Sequence, residues 1–335
     1  MSYKQPTLIK AAVVGGGAFG EMHLRTFQSM PQVEVAGVFT LEPSRGAELC
    51  ARYGGVSYES LGALVKDAGV DLVSIATPEN HHREAFERLT SAGKAVYVEK
   101  PLATSLEDAR AMRDCAGSGI AMSGHCLRFE QRLAVVFERL RGVRKHHLSF
   151  RNRRTRQEKE TYGRVHPAHA MLCHEIDLSN AFAESPFARV MAMETRYSDG
   201  QVDGMTILIE YENGVTSCVE GGWYLPTQNG CIEDDFLSIV SALGVDEVKI
   251  PHQGYVHIGE KGLEIPNLYY GCTIHGMEYG PLRAAFDYMV NCLIAGTRPT
   301  VSTIADAYAA VELVEAALLS AREARWVKHE EITAL

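Results

Sequence analysis

The chain of 335 residues is 46% hydrophobic and 22% charged, a composition that supports two domains with a sizeable buried core. Its formal net charge of −9 argues against a general nucleic-acid binder, which normally presents a net basic face. No apolar run reaches the roughly 18 residues of a membrane span. The eight cysteines, Cys50, Cys115, Cys126, Cys173, Cys218, Cys231, Cys272 and Cys292, contain no CxxC pair, so free, mostly buried thiols in a reducing cytoplasm are expected rather than a zinc cage or a disulfide scaffold.

The opening stretch carries a lysine and then apolar residues that run straight into glycines, with no cleavage site of the kind a secretion signal ends on. A first β-strand over 8–14 is expected there instead. Helix and strand then alternate: helix 18–30, strand 33–39, helix 43–53, strand 70–76, helix 83–92, strand 95–98, helix 106–116 and strand 120–122. Such alternation predicts a parallel sheet covered on both faces and wound with right-handed crossovers, a Rossmann-type α/β domain over residues 1–124. From about Gly124 the rhythm changes. A helix near 130–140 leads into strand-like runs at 143–151, 189–197, 205–211, 215–221, 236–243 and 246–250, with a turn signal at Glu212-Asn213-Gly214. Two helices follow, 281–295 ending at Gly296 and the alanine-rich 303–324. Residues 125–335 are therefore expected to form an α+β domain on an open, mostly antiparallel sheet.

The first strand is followed by GxGxxG at Gly15, Gly17 and Gly20. Between a strand and a helix, that spacing is a dinucleotide-binding fingerprint. Gly15 allows the tight turn, Gly17 lets the backbone approach a pyrophosphate, and Gly20 lets the helix pack on the strand. Ala18 and Phe19 open the helix, whose free N–H groups and positive dipole end suit a phosphate. The second strand ends at Thr40, where NAD enzymes usually place an acidic residue for the ribose 2′-hydroxyl. Thr40 carries no charge to repel a 2′-phosphate and Arg45 can pair with one, so NADP is favoured over NAD, with Glu42 pulling the other way.

The stretch from Ile75 to Arg110, with Thr77-Pro78, His82, Gly93-Lys94 and above all Glu99-Lys100-Pro101, resembles the Gfo/Idh/MocA oxidoreductases, the family of glucose–fructose oxidoreductase and inositol dehydrogenase. The resemblance continues at His125, Arg128 and Phe129, at His174 to Asp177, and from about Tyr279 into the last helix. It implies that Thr77, Pro78, His82, Glu99 and Lys100 line the cofactor site and that Lys100 works where hydride moves. Oxidising an alcohol releases a proton, and a lysine there can relay it or steady the developing alkoxide. His174 matches the family's histidine facing the nicotinamide and suits acid/base exchange with a substrate hydroxyl. Arg128 and Asp177 are the further substrate-binding candidates. The chain departs from the pattern at Ala170, where many relatives carry an aspartate one helical turn before His174, with His166 or His169 as stand-ins, and at Glu79, where relatives often have asparagine.

One basic run, Arg151, Arg153, Arg154 and Arg156, stands out in an acidic chain. It is read either as recruiting an acidic substrate or as a solvated or interface loop. Trp223 and Tyr224 can stack on a sugar ring or belong to the core. His81-His82 and His146-His147 lack the spacing of a helix-borne metal site, and no metal is expected. The resemblance implies hydride transfer on a sugar or cyclitol, a site in the cleft between two domains, and a homodimer or homotetramer. The alternatives are a redox-neutral glycosidase or lyase with a tightly held NAD, and a cofactor-binding regulator without catalysis.

Overall fold

In the computed structural model, residues 8–117, 119–197, 200–227, 233–250, 257–260, 262–264 and 272–334 are described; Cys231 lies outside them. They fall into two compact units, one within Met1–Cys126 and Gly271–Tyr308, the other within Leu127–Tyr270 and Ala309–Leu335.

The first unit alternates β1 (Ile9–Val14), α1 (Ala18–Gln28), β2 (Val33–Phe39), α2 (Pro43–Tyr53), β3 (Val56–Tyr58), α3 (Leu61–Lys66), β4 (Leu72–Ile75), α4 (His82–Ser91), β5 (Ala95–Val98), α5 (Leu106–Ala116) and β6 (Ala121–Ser123). The strands form one parallel sheet in the order β3-β2-β1-β4-β5-β6. Every residue of β4 and β5 is buried, as central parallel strands with both faces covered must be. The chain reverses direction across the sheet between β1 and β4, the switch point at which such sheets bind ligands. Two elements absent from the expectation, β3 and α3, fill the space after α2. The Ser60 hydroxyl caps α3 by accepting from Ala63 N at 3.1 Å, which lets a six-residue helix form.

A late segment completes this unit. Helix Pro281–Ala295 begins after Gly280 with Pro281 and ends at Gly296, which adopts the left-handed conformation with φ 66°. Its Phe286 packs against Phe27 and Tyr97 with ring centroids at 4.4 and 4.6 Å.

 A short hairpin before this helix pairs Cys272–Ile274 with Met277–Tyr279. Aromatic burial of this kind draws the late segment onto the first sheet's helix layer.

The second unit contains α6 (Gln131–Leu140), β7 (Lys145–Thr155), α7 (Arg156–Tyr162), α8 (Cys173–Ala183), β8 (Phe187–Arg196), β9 (Val202–Tyr211), β10 (Thr216–Leu225), β11 (Glu233–Ser241) and β12 (Gly244–Ile250), and it takes the larger part of α9 (Ile304–Glu323). Its sheet runs β12-β11-β7-β10-β9-β8 and ends on the two-residue strand Val327–Lys328. All pairings are antiparallel except β7 with β10, which is parallel. Inward residues such as Leu148, Phe150, Val219 and Ile239 are buried, whereas Met193 and Leu208 on the opposite face are exposed. Among the described residues, no helix is long and apolar enough to cross a membrane, no metal-binding cluster is present, and the cysteines are free.

Candidate active site

The fingerprint forms the turn that its spacing predicts. Gly15 has φ 116°, and a Cβ there would lie 2.5 Å from the Ala76 carbonyl oxygen. A Cβ on Gly20 would lie 2.0 Å from the Gly15 carbonyl oxygen, so only glycine lets α1 sit this close to the turn. At Gly17 a Cβ would meet nothing within 4 Å. Gly17 and Ala18 are exposed and Phe19 is half-buried. Gly17 is also the N-cap of α1 and supplies no side-chain cap bond. The bare backbone and an uncapped helix start together fit a dinucleotide pyrophosphate.

Thr40 follows β2 beside this turn, where a Cβ on Gly16 would meet the Thr40 hydroxyl at 2.8 Å and Arg45 Cγ at 3.3 Å. Arg45 Nε donates to the Gly16 carbonyl at 3.1 Å. Its guanidinium is paired with Glu48 at 2.8 Å and with Glu21 of α1. Glu21 also accepts from the Tyr53 hydroxyl at 2.8 Å and pairs with Arg52. The Tyr53 bond, together with Arg45 and against some burial, holds the Glu21 carboxyl below its ordinary range. The arginine offered to a 2′-phosphate is thus already held by two carboxylates.

Thr77-Pro78 follows β4 and Glu99-Lys100-Pro101 follows β5, so both motifs stand at the same carboxyl edge of the sheet as the glycine turn. Lys100 is half-buried, and Glu99 is only 9% exposed. Gly124 is packed against this motif: a Cβ there would lie 2.9 Å from Glu99 Cα and 3.0 Å from Lys100 N. His82 is buried, with Nε2 at 3.0 Å from the Thr77 carbonyl and Nδ1 at 3.1 Å from that of Pro101. It ties the loop after β4 to the turn after β5. Burial pushes its imidazole down, so the neutral ring is favoured, and it donates to one side at a time.

In the second unit His174, Glu175 and Asp177 lie in the first turns of α8, all buried. A π-helical turn, Ala168–Leu172, leads into this helix. Gly221 of β10 makes room for it, since a Cβ there would lie 2.6 Å from Leu172 Cδ2. Asp177 is held by Arg128 through two short bonds, Nε to Oδ2 at 2.7 Å and Nη2 to Oδ1 at 2.6 Å. Neither histidine considered as a stand-in for the residue at Ala170 is uncommitted. His166 Nε2 lies 3.3 Å from Glu194 and His169 Nε2 lies 3.2 Å from Glu315. The basic run is not a loop: Arg151, Arg153 and Arg154 lie at the end of β7 and Arg156 opens α7. Its arginines face carboxylates, Arg151 with Asp234 at 2.9 Å, Arg153 with Glu220 at 2.9 Å, and Arg154 with Asp235 at 2.9 Å and with Glu233. Arg156 lies over the Tyr197 ring at 4.5 Å. Trp223 is 1% exposed and belongs to the core.

Residues 9–120 match the model of an oxidoreductase family with an NAD-binding Rossmann fold. That model is the GFO_IDH_MocA family's, and it spans about a third of the chain. The chain is similar to a 4-carboxy-2-hydroxymuconate-6-semialdehyde dehydrogenase from Sphingobium sp. (strain NBRC 103272 / SYK-6), 36% identical over 36% of this chain and 39% of that one. Other relatives are matched over 33% and 34% of their own length. Inositol 2-dehydrogenase 1 from Saccharopolyspora erythraea is 27% identical over 75% of this chain and 77% of that one. The fold matches that of scyllo-inositol dehydrogenase from Lactobacillus casei, solved with NAD(H) and scyllo-inositol, with a TM-score of 0.81, 16% identity, and coverage of 96% of this chain and 99% of that one.

Three residues of the site were not singled out in the sequence. Glu21 holds Arg45, while His23 and Ser74 stand behind Glu99. His23 carries a signal of its own, a histidine three residues past the last fingerprint glycine, on the core-facing side of α1 among Gly20, Leu24 and Phe27.

Proposed function

We propose that the chain is an NAD(P)-dependent dehydrogenase that moves a hydride between the nicotinamide and a ring hydroxyl or ketone of a sugar or cyclitol. The observation that carries this reading is the placement of Gly15, Thr77 and Lys100 at the carboxyl ends of three neighbouring strands, β1, β4 and β5. A bound nicotinamide supplies the hydride acceptor or donor. Lys100 takes the hydroxyl proton as the alcohol becomes a ketone and returns it in the reverse direction. His174 is the second acid/base group or the binder of a neighbouring hydroxyl. Asp177 and Arg128, bonded to each other, shape the start of α8 that carries His174. Relatives named as inositol dehydrogenases support a cyclitol among the substrates to be tried first. With Arg45 committed to two carboxylates, a 2′-phosphate must displace an existing ion pair, which favours NAD over the NADP suggested by Thr40 and Arg45 alone. Exposed Met193 and Leu208 on the second sheet support a homo-oligomer.

The test is Lys100→Met, assayed with NAD and NADP against a panel of cyclitols and sugars. Turnover is expected to fall by about 100-fold or more, with cofactor affinity unchanged within a few fold. Wild-type turnover in the variant overturns the role of Lys100, and no turnover by the wild-type chain on any member of the panel overturns the substrate class.

A further inference from the structure

Behind the Glu99-Lys100 pair lies a buried polar chain that the proposed reaction does not itself require. His23 of α1 and Ser74 of β4 are both 0% exposed. His23 Nδ1 lies 2.8 Å from Ser74 Oγ, and Nε2 lies 3.1 Å from Glu99 Oε1. The other carboxylate oxygen of Glu99 accepts from the Lys100 backbone N–H at 3.2 Å. One proton arrangement satisfies every bond with a neutral imidazole: the Ser74 hydroxyl donates to Nδ1, and Nε2–H donates to Glu99. The ring itself is clamped edge-on by Tyr97 and Phe286, with centroids at 5.8 and 5.1 Å. Leaving any buried member of such a chain without its partner costs free energy, so a histidine here needs a reason beyond packing.

We infer that His23 is a positioning residue, which sets the orientation and charge of Glu99 and through it the state of the Lys100 side chain. The inference rests on Lys100 being the proton relay proposed above. Its physical content is a relay of constraints. Ser74 fixes the ring, the ring fixes one oxygen of the carboxylate, and the carboxylate faces the Lys100 charge. Burial by itself would raise the Glu99 carboxyl, but the bond from His23, the Lys100 charge and the Lys100 backbone N–H outweigh it and hold Glu99 below its ordinary range. The other titratable groups facing Glu99 are Tyr97 on the preceding strand, β5, and His82 on α4. Tyr97 is held neutral by burial, and His82 bonds to backbone carbonyls, so His23 is the side chain that grips the carboxylate.

The experiment reads Lys100 directly and needs no substrate. The full-length wild-type chain and its His23→Leu, His23→Gln and Glu99→Gln variants are acylated with trace acetic anhydride across a pH series, and Lys100 labelling is read by peptide mass spectrometry. Without the His23 N–H the carboxylate turns away or takes up a proton, and both weaken its hold on the ammonium. Lys100 labelling at a fixed pH is expected to rise about 3-fold or more in His23→Leu. His23→Gln, which keeps an N–H donor, should return it most of the way. Glu99→Gln should shift it as His23→Leu does, and the double variant should add nothing further. Profiles that coincide in wild type and His23→Leu, or shifts that add in the double variant, overturn the inference. If His23→Leu does not fold, Ser74→Ala takes its place, with a smaller shift in the same direction expected and an unmoved profile overturning it. A shifted profile in a chain that oxidises no cyclitol or sugar sinks the proposed function and leaves the His23–Glu99 coupling standing.

Discussion

Arg128 and Asp177, each a candidate to touch substrate, are each other's partner. The guanidinium presents two donors to the two carboxylate oxygens at 2.7 and 2.6 Å, and a third bond at 3.3 Å reaches the Asp177 carbonyl. Both side chains are buried, to 11% and 1% exposure. Removing one member strands a buried charge at a cost of about 3–5 kcal/mol. Asp177→Asn, which keeps one acceptor, should therefore lower the urea unfolding midpoint clearly, with an unchanged slope. If stability is unaltered and only the KM for substrate rises, the aspartate binds substrate and the pair is not structural.

Cofactor choice should respond to Glu21. In the wild-type chain NADH is expected to bind at least as tightly as NADPH, because Arg45 is occupied by Glu21 and Glu48. Glu21→Gln loosens that hold and leaves a cation beside Thr40, so the NADPH-to-NADH affinity ratio should rise about 3–10-fold, the usual range for one charge-assisted contact. Titration followed by nicotinamide fluorescence measures it. An unchanged ratio means that Arg45 does not reach the 2′ position.

Stability should fall as pH rises because of Glu175. Burial, with the Asp235 carboxylate adding to it, pushes the Glu175 carboxyl up to about 8, against about 4.3 for an unfolded glutamate. Between those values the folded chain holds a proton that the unfolded chain has released. Stability therefore declines as pH rises through this window, and the full penalty stands above it. Glu175→Gln removes the titration and keeps an acceptor for Asn152, which now bonds Glu175 at 2.9 Å. The variant should melt a few degrees above wild type near pH 9 and converge on it near pH 5. A constant offset across the range means that Glu175 is ionised in the folded chain.

Much of the nucleotide-binding unit was legible. The fingerprint, the strand ends at Phe39 and Val98, and the helices Pro43–Tyr53 and Leu106–Ala116 all fall where periodicity puts them. β3 was not, because a three-residue edge strand with two exposed positions carries no alternation to detect. The basic run beyond Arg151 was placed past the end of its strand for a different reason. Its meaning lies in cross-strand register: Arg153 faces Asp234 and Arg154 faces Glu233 on β11, and opposite charges in register stabilise a strand pair.

By itself the sequence determined the dinucleotide turn, the order of strands and helices around it, and Lys100 at the end of its strand. These depend on glycine backbone freedom and on hydrophobic period, which act over a few neighbouring residues. Only the tertiary structure decided what each charged or polar group near the site is bonded to. His23 and Glu99 are 76 residues apart, Arg128 and Asp177 are 49 apart, and Arg154 and Asp235 are 81 apart. A buried ionisable side chain takes whichever partner the packing brings within hydrogen-bond reach, and no local pattern records that partner.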